Sequence, residues 1–194
     1  RHEFSGGSGG GLILRRWNLE VPAALAPLAL RNYKTLIKLQ GRFGSSFSLA
    51  LAGDSIRVSF DGITIDAVSD GDIAVLEEVF VDELYRFAVP GDAPVVVWDI
   101  GMNVGAASLY LARHAQVKSV FACELFRPTY ERALRNFALN PALNNKITTW
   151  CEGVSDENGE LDLPYAEAIQ GIVGLDGPMH DHPEVALRTE HVHV

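Results

Sequence analysis

The sequence is poor in cysteine, in long apolar runs and in basic charge, and each shortage removes a class of protein. Only Cys123 and Cys151 occur among 194 residues. A disulfide framework is therefore not expected, and both read as free, buried, small hydrophobes within strands. No run approaches the roughly 18 to 20 apolar residues of a membrane span. The longest candidate, Val21 to Leu30, is short and interrupted by Pro22 and Pro27. With no signal peptide visible either, a cytoplasmic protein without membrane contact is expected. The chain has 16 Lys and Arg against 25 Asp and Glu, a formal charge of −9. That balance disfavours a nucleic-acid partner, whose phosphates need a basic face to release counterions. What is present is ordinary for a globular chain: 47% hydrophobic and 21% charged residues, long enough for one domain with a sizeable core and an appendage.

Taken in order, residues 1–11 end in Ser5-Gly-Gly-Ser-Gly-Gly-Gly11, a composition that reads as a flexible linker or an expression remnant outside the fold. Residues 12–91 form an N-terminal cap. Its first part, Leu12 to Leu39, mixes apolar and basic residues. Pro22 and Pro27 break it, and Arg31 to Leu39 suits a short amphipathic helix. This segment is expected either to cover the substrate or to pack on the main sheet or a partner subunit, which would make the protein a homo-oligomer. Ser46 to Leu51, Ser55 to Phe60 and Ile63 to Ala67 have strand character, and Asp61-Gly62 is a hairpin signal. An antiparallel meander follows. Asp70-Gly71-Asp72 then offers a cap for a helix over Ile73 to Phe87.

Residues 92–165 alternate strand and helix. Strand Val95 to Asp99 leads to helix Val104 to Ala115, strand Lys118 to Glu124 to a helix from Pro128 to Leu139, and strand Lys146 to Glu152 closes the run. This is an α/β pattern of βαβ units with a parallel sheet. The solidly apolar Val95 to Trp98 suits a strand buried on both faces. Residues 166–194 are a loop-rich segment leading into a further strand near Val185 to Val194. Three strands do not complete a doubly wound sheet, so more sequence is expected beyond Val194.

The chemistry concentrates where strand Val95 to Asp99 turns on glycines into a helix. A dinucleotide fingerprint would read G-x-G-x-x-G. Here the spacing is Gly101-x-Asn103-x-Gly105, with Asn103 in place of the glycine that admits a pyrophosphate. Asp99 would also face that dianion at short range. S-adenosylmethionine suits the acid better, because it carries an ammonium and a sulfonium and no phosphate. The glycine turn lets backbone N–H groups approach its carboxylate. Glu124, ending the second strand, can accept both ribose hydroxyls. A nicotinamide-dependent oxidoreductase is the rival enzyme, and a non-catalytic or truncated Rossmann-like binding module the rival of another class.

Asp99-Ile-Gly-Met-Asn-Val-Gly105, Phe121-Ala-Cys-Glu124, Leu134-Arg-Asn136 with Leu139-Asn140, and Gly153-Val-Ser-Asp156 together resemble the FkbM-type methyltransferases. Met102 and Leu125 depart from the alanine and proline common there. The resemblance spans Ile73 to Tyr165 and implies a Rossmann-like class I methyltransferase sheet, incomplete at the C-terminus, behind an N-terminal helix and β-hairpin extension. It implies S-adenosylmethionine as cofactor and a hydroxyl oxygen of a small molecule or sugar as acceptor. It also implies that Asp99, Gly101, Asn103 and Gly105 hold the methionine end, Glu124 the ribose, and Leu125 and Val154 the adenine, with Tyr85 or Glu78 lining the site. Asn136 and Asn140 read as helix end-caps rather than ligands. No catalytic base is identified. His180, His182, His191 and His193, with Glu167, Asp176 and Asp181 nearby, lack a ligand spacing, so no metal is expected.

Overall fold

In the computed structural model, which describes residues 3–89, 91–166 and 187–194, the chain divides into a first unit, Arg1–Asp82, and a second, Glu83–Val194. The division falls earlier than a boundary after residue 91. Helix α3, Asp70–Leu76, runs into a single π-helical turn, Glu77–Val81, and Glu83 then takes a left-handed φ of 52° that ends the helical path. The helix predicted to reach Phe87 therefore stops short, and Leu84 and Phe87 lie exposed.

The first unit opens with an antiparallel sheet of β1, Phe4–Gly6, β2, Leu12–Leu14, and β3, Leu19–Val21. The glycine-serine stretch is thus part of the fold rather than a free linker. Ser5 pairs with Ile13, and the Ser8 N–H and hydroxyl donate to Glu20 Oε1 at 2.8 and 2.5 Å. Gly11 is required there, since a Cβ would sit 2.5 Å from Val21 O. Pro27 starts rather than breaks a helix. It occupies the first turn of α1, Ala26–Arg31, where an N–H would have no partner. Helix α2, Tyr33–Phe43, buries Tyr33, Leu36 and Leu39 at helical spacing. The meander forms as predicted from β4, Ser48–Ala52, β5, Ser55–Phe60, and β6, Ile63–Ala67, with Asp61 and Gly62 both left-handed in the tight turn. Ser69, one residue before the expected Asp70, caps α3 and exchanges hydrogen bonds with Asp72.

The second unit is the α/β body. Strands β7, Val95–Ile100, β8, Val117–Cys123, and β9, Ile147–Trp150, lie side by side in that order and parallel. Helix α4, Ala106–Ala112, connects the first two, and α5, Arg127–Ala138, with the short α6, Pro141–Asn144, connects the next two. Because strand order advances in one direction, like-handed crossovers put α4 and α5 on the same sheet face. Burial on both faces of β7 is accordingly not what is seen. Val96, Trp98 and Ile100 on the opposite face are 57%, 67% and 62% exposed, and Trp98 lies against Phe121 and stacks with Trp150. The alternation matters for the site. Asp99 shares parity with Val97 and so points to the helix-covered side.

Strand β10, Glu160–Tyr165, pairs antiparallel with β11, Arg188–His193, along its full length. Phe126, Leu163, Tyr165 and Val192 form a small core beneath this hairpin, with Leu125 packed against them. Cys123 and Cys151 are free thiols, half-buried rather than buried, and Cys151 lies just past β9. Among the described residues no helix is long and apolar enough to cross a membrane.

Candidate cofactor site

The C-terminal ends of β7 and β8 and the turn from Gly101 to Gly105 form one connected structure. Gly101 N–H and Met102 N–H both donate to Cys123 O, at 3.0 and 2.9 Å, tying the turn to the neighbouring strand. Gly101, Asn103 and Gly105 are left-handed, at φ of 79°, 51° and 85°. Met102, Val104 and Gly105 are buried, Asn103 is half-buried and Gly101 is exposed.

The two acids come together at this turn. Asp99 Oδ2 accepts the Ser108 hydroxyl of α4 at 2.5 Å. Glu124, 7% exposed, accepts Asn103 N–H with Oε2 and Phe126 N–H with Oε1, each at 3.0 Å. It thereby clamps the turn to the start of α5. Burial pushes both carboxyls above the usual carboxylate range. Hydrogen bonds from Ser108 to Asp99, and from the backbone of Phe126, Asn103 and Leu125 to Glu124, oppose that, while the Asp99 charge raises Glu124 further. Neither acid is in an ion pair with a described Lys or Arg. Asn103 Oδ1 is buried without a described partner.

The two outer glycines have different surroundings. A Cβ on Gly101 would meet nothing within 4 Å. On Gly105 it would lie 2.7 Å from Cζ of Phe137, and closer still to Cε1. Gly105 thus serves the approach of α4 to α5, and Gly101 is the one with room for a ligand. Asn136, buried in α5, donates through Nδ2 to Val104 O at 3.0 Å, and Asn140 Nδ2 donates to Asn136 O at 2.7 Å. Asn140 thus caps the end of α5, whereas Asn136, expected as an end-cap too, holds the turn before α4 instead.

The remaining candidates are dispersed. Leu125 packs on the hairpin core and comes within 2.8 Å of where a Gly153 Cβ would be. Val154 is 63% exposed beside an open cavity of about 600 Å³, which Glu152, Ser155 and His193 also line. Tyr85 is exposed in the second unit, and Glu78 is exposed in the first. His191 and His193 share a hairpin face, where His191 Nδ1 meets Asp162 Oδ1 at 2.9 Å and is raised by that bond. No group of three or more metal ligands is assembled among the described residues. His180, His182, Glu167, Asp176 and Asp181 lie outside them.

Sequence reasoning missed Ser108, Phe137 and Lys146. The first had a signal: it is the lone serine in the run Ala106 to Ala112, which is otherwise alanine, leucine and tyrosine. Lys146 Nζ donates to Ala112 O and His114 O at 2.8 and 3.1 Å, closing the end of α4. The sequence, with an ordinary surface lysine at that position, gave no such hint.

No protein-family model matches the chain. Methyltransferase sdnD of Sordaria araneosa is 34% identical over 97 residues, 50% of this chain and 37% of sdnD. AMB antimetabolite synthetase AmbE of Pseudomonas aeruginosa is 32% identical over 104 residues, 52% of this chain and 5% of AmbE. The chain therefore spans well under half of either relative. Among solved structures, a SAM-dependent methyltransferase from Agrobacterium tumefaciens overlaps 57% of this chain and 38% of its own, at 17% identity and a TM-score of 0.40. TYW2 of P. horikoshii, in complex with MeSAdo, overlaps 73% and 55% at 20% identity and a TM-score of 0.42.

Proposed function

We propose that this chain carries the cofactor-binding core of an S-adenosylmethionine-dependent methyltransferase of the FkbM type, acting on a hydroxyl oxygen of a small molecule or sugar. The observation that carries the reading is the pair Asp99 and Glu124. These are two carboxylates desolvated at adjacent parallel-strand ends, with no described cationic side chain to balance them. Such a site favours a cation and repels a pyrophosphate. S-adenosylmethionine supplies a methyl group already activated by its sulfonium.

The residues present fit that group. Asp99 is suited to the cationic methionine end, and Gly101 leaves its side of the turn open. Asn103 Oδ1 is a buried acceptor without a described partner. Glu124, fixed by the N–H groups of Asn103 and Phe126, is suited to accept the ribose hydroxyls. Leu125 and Val154 would flank the adenine, with Tyr85 a candidate for lining the same site. The similarity to the methyltransferase sdnD supports the chemistry, and the acidic balance of the chain supports an acceptor other than nucleic acid.

Melting the protein with S-adenosylmethionine, S-adenosylhomocysteine or NAD tests the cofactor. A ligand at 100 times its Kd adds about 2.7 kcal/mol, so the adenosyl ligands should raise Tm. Stabilisation by NAD alone would refute the reading.

A further inference from the structure

Asp99 is held by one neighbour in particular. Ser108 is fully buried two residues inside α4, and its hydroxyl bonds Asp99 Oδ2 at 2.5 Å. A helical serine ordinarily turns its hydroxyl back to the carbonyl four residues before it. Here that carbonyl, Val104 O, already accepts Asn136 Nδ2 at 3.0 Å. The Ser108 hydroxyl is given to the acid instead. The Ser108 backbone also bears on the same carboxyl, so one residue holds Asp99 twice. The other titratable groups that feel the Asp99 charge are Glu124 and the Cys123 thiol, neither of them cationic.

We propose that Ser108 is a positioning residue for the cofactor: its hydroxyl fixes Asp99 through Oδ2 and so holds the carboxylate in place for the ammonium of S-adenosylmethionine. The inference rests on the cofactor reading above and adds a residue to it. A hydrogen bond to the ionised carboxylate favours that form, so Ser108 also opposes the rise that burial imposes on Asp99.

The test is titration calorimetry of the full chain with S-adenosylmethionine and S-adenosylhomocysteine across pH, on Ser108→Ala, Ser108→Thr and Ser108→Cys, beside carboxyl NMR of Asp99 without ligand. Loss of a hydrogen bond to a charged group predicts about ten-fold weaker S-adenosylmethionine binding in Ser108→Ala. It also predicts a comparable loss for S-adenosylhomocysteine, which keeps the ammonium, and an upward move of the Asp99 titration midpoint. Ser108→Thr, which keeps the hydroxyl, should restore binding and midpoint. Ser108→Cys, close in volume with a weaker donor, should fall between and serves if Ser108→Ala does not fold. An unmoved midpoint with unmoved affinity would overturn the proposal, as would Ser108→Thr losing as much as Ser108→Ala. Failure of the unaltered chain to bind S-adenosylmethionine would instead overturn the cofactor reading itself.

Discussion

Replacing Gly105 by alanine should damage the fold, whereas the same change at Gly101 should damage binding. At Gly105 two costs add. A side chain in the left-handed region costs about 1–2 kcal/mol, and φ there is 85°. The new Cβ would also lie 2.7 Å from Phe137 Cζ, and that ring is only 1% exposed, with no solvent to swing into. Overpacking of this kind costs about 1–3 kcal/mol. The sum, about 2–5 kcal/mol, is a large part of a typical domain's stability. Gly101→Ala carries only the backbone cost, about 1–2 kcal/mol, because its surroundings are open. Urea unfolding followed through Trp98 and Trp150 would separate the two. Trimming the ring with Phe137→Leu should then make Gly105→Ala less harmful, with a coupling of about 1–3 kcal/mol in the double-mutant cycle. Equal midpoints for Gly105→Ala and Gly101→Ala, or zero coupling to Phe137, would refute the packing argument.

Glu124→Ala removes the acceptor of Asn103 N–H and Phe126 N–H. It should cost about 1–3 kcal/mol, weaken cofactor binding and speed hydrogen exchange at both amides; unchanged exchange would show the clamp to be idle. Lys146→Met keeps the stem but loses the bonds to Ala112 O and His114 O, and should lower the urea midpoint by about 1 kcal/mol equivalent; an unaltered midpoint would dismiss that role. Asp99 and Glu124 are both raised in the folded state, so the folded protein holds protons that the unfolded chain would release. Their contribution to ligand-free stability is present below the usual carboxylate range and lost as pH rises through the raised values. The gain in Tm from S-adenosylmethionine should run the other way, growing as both ionise; a gain independent of pH from about 4 to about 8 would contradict it.

The α/β body was legible because periodicity and punctuation agree there. Strand, glycine turn and helix follow one another from Val95 to Trp150 with errors of one to a few residues. The meander was equally legible, since Asp61-Gly62 demands a turn that few other pairs can make. What failed depended on three-dimensional context. Ser5 to Gly11 has the composition of a linker, yet glycine also permits the tight reversal that brings β1 onto β2, and composition does not separate the two uses. Val95 to Ile100 reads as buried on both faces because apolarity records what a strand tolerates. That both crossover helices lie on one side follows from strand order, which composition does not carry.

The site shows the same limit more sharply. Asp99 and Glu124 could be singled out because acids at strand ends are unusual among Val, Ile and Phe. The three left-handed positions Gly101, Asn103 and Gly105, by contrast, look interchangeable in one dimension. They divide only when the partner is known: Gly105 against Phe137, 32 residues away, and Asn103 through its N–H against Glu124, 21 residues away. Ser108 is the clearest case. Its hydroxyl reaches Asp99 because strand parity turns that acid to the helix side. That condition is not local to Ser108. A helical serine in an apolar run therefore signals a buried partner, and the parity of the preceding strand indicates which acid that partner is.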